Sequence, residues 1–141
     1  MKRILYLAVA GIFSGLLLGA FLKIVQAVSG KRVYTLLLNV DYFPVLQNWE
    51  LGEVAEFMLH LAVSVALVFV LYAAFVRCGW SAKFFPYVVA NVLIGALLFL
   101  TTLLSNRTPE LIDGVAFLYW LAGHLVYGVV LGILLSRIKK D

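Results

Sequence analysis

The chain has 141 residues, of which 65% are hydrophobic and 13% charged, with a formal net charge of +4 and a mean hydropathy of +1.07. A soluble domain carries roughly 45–50% apolar and ~25% charged residues, and a short chain keeps most of its surface in water. The balance excludes a soluble enzyme or a nucleic-acid-binding domain and predicts a single-domain, all-α integral membrane protein.

The first uncharged run, residues 4–22, is 19 residues long. A helix rises 1.5 Å per residue, so about 20 residues cross a hydrocarbon core ~30 Å thick. Lys2 and Arg3 precede this run and Ala27-Val28-Ser29 follow it, as in a secretory leader. The run exceeds the ~7–15 apolar residues of a leader, so we read it as a retained span over 4–26. Three more runs follow: 57–76 with 20 residues, 84–104 with 21 and 115–136 with 22. They predict spans at 51–76, 84–104 and 115–136. Lipid offers no partner to an exposed peptide group, so each span is helical. The runs are apolar on every face, unlike the alternating strands of a membrane barrel. The expected fold is a four-transmembrane-helix bundle.

The connections are unequal. Residues 29–49 are long and apolar, with Val33-Tyr34-Thr35-Leu36-Leu37-Leu38 followed by Asn39-Val40-Asp41-Tyr42-Phe43-Pro44. Such a segment suits either an interfacial piece capping the bundle mouth or an ordinary loop packed on the helix ends. Residues 77–83 form a tight turn with Gly79 and Trp80, and 105–114 a short polar loop with Pro109. One side carries seven cations (Lys2, Arg3, Arg77, Lys83, Arg137, Lys139 and Lys140) with Asp141 the only acid. The other carries Lys23, Lys31, Arg32 and Arg107 with Asp41, Glu50, Glu53, Glu56, Glu110 and Asp113. Cytoplasmic loops are enriched in Lys and Arg, so both termini are expected inside the cell membrane, N-in and C-in.

Gly11, Gly15 and Gly19 recur at spacing four on the first span, and Gly128 and Gly132 repeat the device on the fourth. Small residues on one face let helices approach in lipid, so these mark helix packing, within the chain or between copies. The pattern HLxxxVxL occurs at His60 and again at His124, on spans that run in the same direction, which raises a weak parallel two-plus-two repeat.

Ionisable groups inside a membrane are expensive and by default suggest function. His60 shares a helix face with Glu53, Glu56 and Ser64, and His124 shares one with Trp120 and Gly128. Asn91 is the most polar group of the third span and is expected to bond across helices. Thr101 and Thr102 are expected to bond their own helix. Lys23 can pair with Glu53 or Glu56. Three readings of the polar set Glu53, Glu56, His60, Ser64, Asn91 and His124 follow. The plainest is polar glue between helices. The second is a proton or cation path, because imidazole titrates near neutrality. The third is a pair of axial ligands to a b-type haem.

The chain has no GxSxG, HExxH, Walker A lysine or CxxC motif, and no metal-ligand spacing. Cys78, the only cysteine, cannot form an internal disulfide. The expectation is a non-enzymatic multi-pass protein without a cofactor. It acts through helix packing with itself or a membrane partner protein, with the lipid bilayer around it and no nucleic acid. A proton-linked or small-solute transporter is the alternative.

Overall fold

A computed structural model describes residues 2–41, 43–46, 49 and 51–138. Glu50, Lys139, Lys140 and Asp141 of the charge count, and Tyr42 of the apolar connection, lie outside the described residues. The described chain is all-helical. Four helices are long and apolar enough to cross a membrane: α1 (Lys2–Ser29), α3 (Glu53–Arg77), α4 (Phe84–Phe99, continued by a 3-10 turn Leu100–Leu104) and α5 (Gly114–Leu135). A short helix, α2 (Val33–Leu38), lies in the long connection.

The ends of these helices follow from local chemistry. α1 begins at Lys2 and runs past Lys23 to Ser29, beyond the expected bounds on both sides, because cations near a helix end reach out to water. Gly30 at φ 72° and Gly79 at φ 71° take the left-handed conformation that stops α1 and α3, at no steric cost. Glu53 and Glu56 stand in the first turn of α3 and Arg77 in its last, each sign opposite to the helix dipole. Pro86 sits in the first turn of α4, where no intrahelical N–H bond is lost. Asp113 caps α5 by accepting from the Ala116 N–H at 3.0 Å.

α1 packs on α3 and α5, and α4 packs on α5. Each of these three seams contains glycine. Gly11, Gly15 and Gly19 of α1 face Val65, Ser64 and Leu61, and Phe57 of α3. Gly123 of α5 meets Leu18 and Leu22 of α1. Gly128 and Gly132 of α5 abut Val88, Asn91 and Phe84 of α4, and Gly95 of α4 abuts His124 of α5. The glycine registers are therefore used inside the chain. The fourth seam, between α3 and α4, has none: α3 contains no glycine and the one in α4 faces α5. Phe75 and Tyr87 meet edge-on at 4.9 Å beside the 78–83 turn, and beyond them the two helices stand apart.

The core is a column through the centre, including Leu22, Val68, Tyr87, Leu131 and Leu135, all fully buried. The outer surface is apolar too: Leu5, Phe85, Leu97 and Leu118 are each at least 66% exposed. Water offers such side chains nothing, whereas lipid tails solvate them.

Candidate functional site

The open seam between α3 and α4 holds a cavity of about 240 Å³. Its walls are largely apolar, from Leu18 of α1, Leu59, Val63 and Leu67 of α3, and Ile94 and Leu98 of α4. Its mouth is covered by α2 and the residues after it. The apolar connection is therefore a cap, whose own Val33, Leu36, Leu38 and Val40 are buried against the bundle. α2 is tied to α1 because the Gln26 carboxamide accepts the Thr35 N–H at 2.9 Å.

Five of the six polar residues singled out above line this cavity: Glu56, His60, Ser64, Asn91 and His124. Glu53 does not. It lies outside, where it accepts from Lys23 and, at 3.0 Å, from the Tyr34 hydroxyl. Burial, then that carboxylate, pushes the Tyr34 phenol up to about 12. Lys23 thus pairs with Glu53 rather than Glu56. Glu56 is 6% exposed and pairs at the mouth with Arg107 at 3.5 Å, which also reaches Asp41 at 3.7 Å. The mouth therefore carries charge, two carboxylates against one guanidinium.

Deeper in, hydrogen bonds fix the direction of each donor. A backbone carbonyl only accepts, so His60 donates its Nε2–H to Gly15 O at 3.1 Å and His124 donates its Nδ1–H to Trp120 O at 3.0 Å. Ser64 donates to Gly11 O at 2.7 Å, so the Tyr127 hydroxyl, 2.8 Å away, donates to Ser64. Trp120 donates its indole N–H to Gly95 O at 2.7 Å. His60 bonds across helices and His124 within its own, so the HLxxxVxL echo does not extend to how the two imidazoles are held.

Two expectations are corrected here. Asn91 does not bond across helices: its Nδ2 donates to Tyr87 O of its own helix at 2.7 Å, and its buried Oδ1 has no partner. Gly128 brings the α5 backbone against Asn91 Cβ and leaves no donor opposite the amide oxygen. Thr101 bonds Leu98 O, but the Thr102 hydroxyl is buried without a partner. The 3-10 turn after Phe99 winds Thr102 inward, away from the carbonyl a regular helix would offer.

Asn39, Gly95 and Tyr127 belong to the site as well, beyond the polar set above. Asn91 and Gly95 are four apart and mark the α4 face that meets α5, a spacing visible in the sequence. Asn39, fully buried with its Nδ2 unpaired, carried no such signal. Among the described residues no three His, Cys, Asp or Glu side chains come together as a metal-ligand set. Comparison with protein-family models, curated proteins and solved structures finds no match to this chain.

Proposed function

We propose that this is a multi-pass membrane protein whose working part is the α3–α4 cavity, a binding site for a lipophilic molecule that enters sideways from the bilayer. The observation that carries this reading is the contrast between seams. Three are closed by glycine contacts, and the fourth is open, apolar and lined by the chain's rare buried polar groups. Drug-sized ligand pockets run to about 300–1,000 Å³, so 240 Å³ suits a head and its first carbons, with a tail left in lipid.

Membrane insertion is part of the proposal, supported by four long apolar helices with outward apolar faces. The proposal puts both termini in the cytoplasm, on the excess of Lys and Arg at that end. Lys23, Lys31 and Arg107 at the α2 end are each tied to an acid, which lowers the effective positive charge there. Packing with a second copy through the glycine stripes loses its support, because those stripes are occupied within the chain.

A proton path is the second reading, favoured by Glu56, His60 and His124 sharing one cavity. Two features weigh against it. The Tyr127–Ser64 relay ends on a backbone carbonyl, and Leu71, Leu131 and Leu135 close the bundle below it.

The test is what co-purifies in mild detergent. The parent should carry an extractable lipophile that mass spectrometry detects. Val63→Phe, which fills the cavity at its opening, should lose it. Val70→Phe, exposed on α3 outside the cavity, should keep it. Equal amounts in all three would refute the reading. Flux across liposomes in the absence of such a lipophile would favour the proton path, and absorbance above 400 nm the haem pair.

A further inference from the structure

We infer that the head group this cavity takes is neutral and donates a hydrogen bond: a lipophilic alcohol or phenol. The inference rests on the cavity being a ligand site and names the chemistry of its ligand.

Hydrogen-bond direction carries the argument. The donor groups on the deep wall are committed to protein acceptors: His60 to Gly15 O, His124 to Trp120 O, Trp120 to Gly95 O, Ser64 to Gly11 O and Tyr127 to Ser64. What remains open is acceptor capacity. His60 keeps a bare Nδ1 and His124 a bare Nε2, neither with a protein partner among the described residues. Asn91 is fully buried with Oδ1 unpaired. Unmet acceptors in an apolar setting are costly, and a ligand that offers an O–H relieves that cost. A ketone or ether offers none.

Charge excludes the other heads. Glu56 and Asp41 at the mouth share Arg107, and the deep wall presents imidazoles that each donate to a backbone carbonyl. Among the described residues no cation there is free to hold a phosphate or carboxylate, and an ammonium head would have to displace Arg107 from Glu56 or Asp41, the latter also held by the Ser105 hydroxyl. Among the described residues that line the cavity, Asn39 Nδ2 is a buried donor without a partner; it sits on the cap, where the oxygen lone pairs of the same hydroxyl class can use it.

Trp120 lines the cavity, so it reports occupancy once Trp49→Phe and Trp80→Phe remove the two exposed indoles. Three probes share one tail: 4-octylphenol, 4-octylanisole and 4-octylbenzoate, each titrated in nanodiscs at pH 7, where a phenol is protonated. The phenol should bind about fivefold or more tightly than the anisole, the worth of one neutral hydrogen bond. The benzoate should bind more weakly than the phenol. At least one of His60→Phe, His124→Phe and Asn91→Leu should bring the phenol-to-anisole ratio close to one. Should the histidine variants fail to fold, Asn91→Leu and the three parent affinities decide. Equal binding of phenol and anisole, tightest binding of benzoate, or a ratio unmoved in every variant that folds would overturn the head-group assignment while leaving the cavity a ligand site. No saturable response to any probe would overturn the ligand site itself, and this inference with it.

Discussion

Gly11→Ala tests whether the α1–α3 seam is set by backbone contact. A Cβ at Gly11 would lie 2.8 Å from Val65 Cα and 3.2 Å from Val65 N. Those are backbone atoms, so no rotamer change relieves the contact and α3 must move as a body. Overpacking of this kind costs about 1–3 kcal/mol. Moving α3 also stretches the 2.7 Å bond from Ser64 to Gly11 O, at about 1 kcal/mol. Alanine returns about 1 kcal/mol in helix propensity. The net expectation is a loss of about 1–3 kcal/mol. Gly114→Ala supplies the control, since nothing lies within 4 Å of its added Cβ; it should stay within about 0.5 kcal/mol of the parent. Reversible unfolding by SDS titration in mixed micelles measures both. A Gly11→Ala midpoint equal to or above that of Gly114→Ala would refute the seam argument, because a flexible contact would have absorbed the methyl.

Ser64→Ala and Tyr127→Phe should each lose about 1 kcal/mol in the same assay, and the double variant less than their sum, since one bond joins them; strict additivity would show the hydroxyls act separately. The Lys31 ammonium, then the Ala116 N–H, holds the Asp113 carboxyl below its usual value, so its contribution is present above the ordinary carboxylate range and lost as pH falls through the lowered value. The stability gap between the parent and Asp113→Asn, which keeps a capping side chain, should therefore be full at pH 7 and shrink below about pH 4; a gap that widens on acidification has the wrong sign. Cys78 lies in the 78–83 turn, so an impermeant thiol reagent on intact cells should spare it, and should label Asn106→Cys in a Cys78→Ser background. The reverse pattern would invert the orientation.

The sequence makes four long helices legible because charge interrupts the apolar runs only in the connections and the helix ends beside them: Lys23 to Glu56, Arg77 to Lys83, and Arg107 to Asp113. The short helix α2 is less legible. Six residues are too few for a periodic signal, and its form depends on Gln26 and on the helix ends beneath it. In the site, the Glu56–His60–Ser64 face is a spacing anyone can count. That Glu53 turns away from it is not, because the choice is made by Lys23 and Tyr34 from elsewhere in the chain. The bonds of the amide and hydroxyl groups are equally hidden. Asn91 bonds its own helix only because the α5 backbone at Gly128 leaves nothing else to meet it.

The position of the cavity follows from a distribution of glycines that single-helix patterns do not reveal. In lipid, apolar side chains gain little by leaving one helix for another, so helices close where small residues let backbones meet. α1 spends three glycines on α3, α5 spends Gly123 on α1 and Gly128 and Gly132 on α4, and Gly95 of α4 is filled by His124. α3 brings only side chains with volume to its border with α4, and α4 has already turned its one glycine elsewhere. The bundle therefore closes on three sides and stays open on the fourth. The polar residues of α3 and α5 point toward that opening from the sides that are already fixed. Their donor hydrogens are drawn into the tight seams, toward Gly15 O, Gly11 O and Gly95 O, since close-packed backbone supplies the acceptors. The same glycines that close three seams thus leave the fourth lined with unmatched acceptors, and that is the chemical character a ligand from the bilayer would meet.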